Sequence, residues 1–241
     1  MDFRLPHHLP KVSGGDGSDP GELPRQRRGV TPQMHGRYPD YDCLAHADHW
    51  DERTRAVVLD RAARVPERRF FSESEARTLE AFCNTVLAQD AEPRIPVLAL
   101  VDEKLAAGRL DGYQYADMPD DRDTWRLVAA GLDEAAGERA APSFADASQD
   151  ERNEIVDAFA ESRLAGGVWT VLDVSRAWKV VMRATLAAFY SHPWAWNEIG
   201  FGGPAYPEGY ARLGPGGGEA WEGEEAFTVD PVEDVVERGF E

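Results

Sequence analysis

The stretch Cys43-Leu44-Ala45-His46-Ala47-Asp48-His49 gathers a thiol, two imidazoles and a carboxylate within seven residues, the donor types that suit zinc. Its spacings match no zinc module, and a tetrahedral site would need a ligand from elsewhere in the chain. The plainer reading is a helix start, with Asp48 as its cap and the histidines exposed. Ser191-His192 set a hydroxyl beside a base, but chain neighbours need not face each other, and an activated nucleophile requires that they do. Asp102 is a lone acid on an amphipathic helix, read as a solvated face or a cap for a neighbour. Asp117, Asp120, Asp121 and Asp123 lack the alternating ligands, central glycine and closing glutamate of a calcium loop. No Gly-x-Gly-x-x-Gly follows a strand pattern, and there is no Gly-x-Ser-x-Gly, phosphate loop or His-Glu-x-x-His. No catalytic, cofactor-binding or metal-ligating residue is therefore expected in this chain.

The elements that would position these groups come next. At 241 residues, with 42% hydrophobic residues, the chain has ample core material and suits one domain with extended ends, or at most two small ones. Its net charge of -18 argues against nucleic acid and anionic lipid as ligands. Cys43 and Cys83 are too few for a disulfide framework and are read as free thiols. The first residues lead into Gly and Pro without an apolar run, so neither a signal peptide nor direct membrane insertion is expected. The chain is expected to be cytoplasmic as synthesised.

Periodicity makes the fold all-α, an irregular bundle of about five to six helices. Residues 1–47 read as an extended N-terminal arm, 48–214 as the helical domain and 215–241 as an acidic C-terminal strap. Trp50, Thr54, Val57, Val58 and Arg61 suggest a helix from Asp48 to about Val65, stopped by Pro66. Ser72-Glu73-Ser74-Glu75 fits a capping box with Phe71 and Ala76 placed for a hydrophobic staple. That helix should bury Leu79, Phe82, Cys83, Val86 and Leu87 as far as Gln89, leaving Cys83 as a core thiol. Pro96 opens a third helix through Val101 and Leu105 to Gly108, as proline suits a first turn. A fourth runs from Asp121 to Gly137 with Trp125, Val128, Leu132 and Ala136 on one side. Ser148-Gln149-Asp150-Glu151 is a second capping box, opening a fifth helix with Ile155, Val156 and Phe159 inward. From Trp169 to Tyr190 the apolar residues, Leu186 and Ala187 among them, cover more than half the circumference, which marks this helix as central.

Pro193 biases His192 away from helical geometry and ends that helix. The segment from there to Tyr210 reads as an aromatic loop rich in Gly and Pro, costly to order unless its rings pack on something. The candidate partner-binding residues are His192, Trp194, Trp196, Asn197, Phe201, Tyr206 and Tyr210, because aromatics dominate interface hot spots. The strap mixes nine acids with Trp221, Phe227, Val229, Val232, Val235, Val236 and Phe240, more apolar content than a solvated tail requires, and is a candidate docking strap for a partner's basic groove.

The order Phe189-Tyr190-Ser191-His192-Pro193, Trp196-Asn197-Glu198-Ile199-Gly200-Phe201 and Gly203-Pro204 is similar to the closing motif of the gluconate 2-dehydrogenase subunit 3 family. The resemblance begins at Phe71-Ser72 with the pattern Phe-Ser-x-x-Glu-Ala-x-Thr-Leu, includes Val101-Asp102 and Leu105, and runs to about Gly214. It implies a non-catalytic small subunit that binds and stabilises a large flavoprotein of the glucose-methanol-choline oxidoreductase type. FAD would belong to that partner, which oxidises a sugar, sugar acid or polyol, often with a cytochrome c subunit as electron acceptor. Many members begin with a twin-arginine export signal, but here Arg27-Arg28 is followed by Gly-Val-Thr-Pro-Gln and no hydrophobic segment. Export is then expected only if a partner carries the chain. Two other readings stay open: an assembly chaperone binding only the immature flavoprotein, and a free-standing α-helical enzyme using His192 or the Cys43/His46/His49 cluster.

Overall fold

A computed structural model describes residues 41–89, 92–110, 114–207, 209, 219 and 221–222. Among them the fold is all-helical: α1 (Glu52–Ala63), α2 (Glu73–Val86), α3 (Val97–Ala106), α4 (Asp121–Gly137), α5 (Gln149–Ala160), α6 (Val174–Tyr190) and α7 (Pro193–Glu198), with 3-10 turns at Cys43–His49, Phe144–Asp146 and Gly167–Thr170. The chain divides into two compact units, one of residues 1–64, 91–95 and 190–241 and the other of 65–90 and 96–189. These boundaries fall differently from the expected 48–214 domain. The first described residues of the expected arm already form the 3-10 turn, and residues 1–40 lie outside the described residues.

The unit of residues 65–90 and 96–189 is built around α2, which packs against α3, α4 and α5. Both expected capping boxes are present, Ser72 with Glu75 and Ser148 with Glu151, each with the reciprocal pair of bonds. Leu79, Phe82, Cys83 and Leu87 are buried, Val86 only half-buried. Phe82 and Phe159 lie 6.1 Å apart, and the Trp178 ring of α6 meets both, at 6.3 and 5.2 Å, within the range of favourable aromatic pairing. Cys83 sits 3.9 Å from the Thr185 hydroxyl, and burial pushes its thiol up to about 12, which makes it inert in the folded state. Asp133 ties α2 to the turn before α5, accepting from the Thr78 hydroxyl at 2.7 Å and from the Phe144 N–H at 2.9 Å.

Asp102 departs from the solvated-face reading. It is fully buried on α3. Its Oδ1 accepts from the Arg69 and Phe70 N–H groups at 2.6 and 3.1 Å, and its Oδ2 from Phe70 and Phe71 at 3.0 and 2.9 Å. The other half of the sequence reading, a cap for a neighbour, is what the geometry delivers: one carboxylate satisfies three consecutive backbone donors just ahead of α2.

Other expectations need correction. Helix α6 starts at Val174, not Trp169, because residues 167–170 form a 3-10 turn and the Asp173 carboxylate accepts from the Arg176 N–H at 2.9 Å. Leu186 and Ala187 face solvent, so α6 flanks the bundle while α2 is its centre. Pro96 is the N-cap residue of α3 instead of sitting in its first turn. Helix α1 is capped by Asp51, whose side chain accepts from Thr54; Asp48 pairs instead with Arg55 at 2.8 Å. Of the stripe expected there, Trp50, which lies ahead of α1, and Val58 are buried, while Val57 is 52% exposed.

Two substitutions test this packing. Asp102→Asn leaves one acceptor oxygen for three buried donors and should lower the unfolding free energy by about 3 kcal/mol, read from the urea midpoint. Gly131 lies on α4 under Trp169, where an added Cβ would meet the ring at 2.5 Å. Gly131→Ala should therefore destabilise by about 1–3 kcal/mol through overpacking, despite alanine's better helix propensity; a rise in the thermal midpoint would show that the ring moves aside freely.

Candidate partner-binding site

The candidate residues belong to the unit of residues 1–64, 91–95 and 190–241. The first part of the segment read as an aromatic loop, Pro193–Glu198, folds as helix α7 instead, and the described residues after it are non-helical. His192 is extended at the N-cap, its Nδ1 accepting from the Trp194 N–H at 3.2 Å, and Pro193 occupies the first helical position, where a missing N–H costs nothing. At the other end Ile199 caps α7 and Gly200 takes φ +66°. The Phe201 N–H reaches the Trp196 carbonyl at 2.9 Å and the Gly200 N–H the Asn197 carbonyl at 3.4 Å. This is a Schellman ending, with the Trp196 and Phe201 rings edge to face at 5.6 Å as its hydrophobic contact.

The rings fill the chain's own interior. Trp196 is 6% exposed, and its indole N–H donates to the Tyr190 carbonyl at 2.7 Å. Cys43, Ala47, Trp50, Val58 and Trp196 form the core of this unit, with Tyr41, Leu44 and Phe201 packed around it. Gly203, at φ +88°, has no room for a side chain: a Cβ there would lie 2.8 Å from Trp50 and 3.3 Å from Trp196. Asn197, also buried, accepts from the Cys43 N–H at 2.8 Å, and the Cys43 thiol donates to the Pro193 carbonyl at 3.6 Å. From the strap, Trp221 accepts a hydrogen bond from the Tyr41 hydroxyl and lies against Gly202.

His192, Trp196 and Asn197 are thus drawn together inside the unit, Trp194 and Phe201 are half-buried, and Tyr206 is 65% exposed. Tyr210 lies outside the described residues, as does the strap except Glu219, Trp221 and Glu222. Sequence reading missed the Cys43–Asn197 link and the fit of Trp50 over Gly203, which no local pattern announces. It also missed α7, although Asn197-Glu198-Ile199-Gly200-Phe201 carries the signal of a glycine-terminated helix.

The geometry gives little support to chemistry by these groups. Burial lowers the His192 imidazole to about 4, so at neutral pH it is an uncharged cap, with Nδ1 already occupied. The His46 and His49 rings are 6.0 Å apart, the Cys43 thiol is turned to a backbone carbonyl, and no three His, Cys, Asp or Glu side chains gather to hold a metal among the described residues. In the other unit the ends of α4 and α5 and Trp169 bound a cleft of about 470 Å³ with Arg139, Arg163, Glu134 and Glu138 in its walls and no Ser, Cys or His. No helix among the described residues is long and apolar enough to cross a membrane.

The family described as Gluconate 2-dehydrogenase subunit 3 matches residues 73–203, more than half of the chain. The protein belongs to that family, a subunit family of a dehydrogenase complex. The match opens with α2 and closes on Gly203, short of the Gly214 expected from the sequence. No curated protein and no solved structure matches the chain.

His192 yields a pH test. Its imidazole is held below the ordinary 6.5 in the folded state, so between about pH 6.5 and 4 the unfolded chain takes up a proton that the folded chain refuses. Stability from this group is therefore complete above pH 6.5 and declines as the pH falls towards 4. His192→Asn keeps a capping side chain and should flatten this part of the stability profile in urea titrations. Parallel curves for the two proteins would show that His192 is not the group responsible.

Proposed function

We propose that this protein is a non-catalytic accessory subunit that binds and stabilises an FAD-dependent sugar or polyol dehydrogenase of the glucose-methanol-choline type. The observation that carries the reading is the family match across α2 to α7. The mechanism is mass action: a subunit that binds the folded flavoprotein and not its unfolded chain stabilises it by RT ln(1 + [L]/Kd), and it covers apolar surface that would otherwise aggregate. FAD resides in the partner, and electrons pass from it to an acceptor such as a cytochrome c subunit. We assign no redox group to this chain.

Of the seven candidate contact residues, Tyr206 has the exposure of an anchor, and Trp194 offers a partly open ring. Trp196 and Asn197 support the surface from beneath. This division makes the reading testable by affinity purification from the native host, with mass spectrometry and a visible spectrum of the eluate. A large subunit with a flavin band should co-elute with the wild-type chain. Tyr206→Ser should lower its recovery about tenfold with the fold intact, whereas Trp196→Ala should cost about 3–5 kcal/mol of stability. A colourless chain eluting alone would overturn the reading.

A further inference from the structure

We propose that the acidic C-terminal segment, residues 223–241, docks in cis along the exposed flank of α1. Helix α1 turns only Val58 into the core. Arg53, Val57, Arg61 and Arg64 lie on one side of it at three- and four-residue spacing, all exposed. Of the cations near this helix, Arg55 is paired with Asp48 and Arg64 with Asp60. Arg53 and Arg61 make no ion pair among the described residues, although Glu52 and Asp60 share their helix. The flank is thus a pair of guanidiniums on either side of a half-exposed valine, on a chain whose net charge is -18.

The segment proposed to cover it has the complementary make-up. Its 19 residues hold seven acids against Arg238 alone, interleaved with Phe227, Val229, Val232, Val235, Val236 and Phe240. Its point of departure is fixed in the same unit as α1. Trp221 is held by the Tyr41 hydroxyl and by Gly202, and Tyr41 packs on the cluster that receives Val58. Helix α1 is about 18 Å long, while 19 residues can span up to roughly 60 Å; the tether is ample. Linkage through so short a chain gives a high effective concentration, so weak charge pairing with a few apolar contacts suffices for occupancy.

Lysine occurs in the sequence only at positions 11, 104 and 179, so Arg61→Lys puts a unique amine on this flank while keeping the charge. The full-length variant, mixed with an isotope-labelled copy and treated with a zero-length carboxyl-to-amine cross-linker, should give intramolecular links from position 61 to acids within 224–241. Raising the salt to 1 M should suppress them. Glu233→Lys with Asp234→Lys should, in the otherwise unaltered full chain, speed trypsin cleavage after Arg61. Links only between labelled and unlabelled copies would assign the flank to a second molecule and overturn docking in cis. Absence of links, with cleavage unchanged by the charge reversal, would overturn the contact altogether.

Discussion

The bundle unit depends on where α2 begins, and a single buried carboxylate decides that. The N–H groups of Arg69, Phe70 and Phe71 precede the Ser72 cap and have no helical partner. Asp102, on α3, takes all three. Burying a carboxylate is costly unless its lone pairs are occupied, and here four contacts occupy them. The exchange couples the start of α2 to the face of α3, and α2 in turn is the surface on which α3, α4 and α5 pack. With this anchor set, Phe71 and Ala76 are buried at the staple positions, and the helix phase brings Phe82 to Phe159 and Trp178.

How much of this could be read beforehand divides along the range of the interaction. The capping boxes at Ser72 and Ser148 and the limits of α4 were legible because each depends on residues within one turn. The role of Asp102 was not, since its partners are 31 to 33 positions away and an isolated acid on a helix looks the same whether it meets water or backbone. Composition misled in two places. The tryptophans and glycines after Pro193 suggested a loop, while the cap residues at His192 and Gly200 were locally consistent with a helix. The apolar content of α6 suggested a central helix, yet Leu186 and Ala187 point outward, because hydrophobic residues inside is a rule that runs one way only.

The aromatic motif is legible as a cluster of large rings but not as an interior. Its order rests on residues from outside the family match: Trp50 over Gly203, Cys43 against Asn197, and Trp221 against Gly202. The match stops at the glycine whose missing side chain lets Trp50 and Trp196 close on each other. The segments before α2 and after Gly203 are therefore part of the packing of the family's last motif in this chain.

The two cysteines fall one to each unit, and both are closed to solvent, Cys43 at 0% and Cys83 at 1% exposure. Neither thiol can meet an alkylating reagent until its surroundings open. Sub-global opening has its own free energy in different parts of a protein, so the chain carries two native clocks, one per unit. Under conditions where reclosing outpaces the reagent, the labelling rate at Cys43 measures the fraction of time the Trp50–Trp196 packing is open, and that at Cys83 the fraction for the α2 bundle. The molecule thus reports the separate breathing of its halves without any engineered probe.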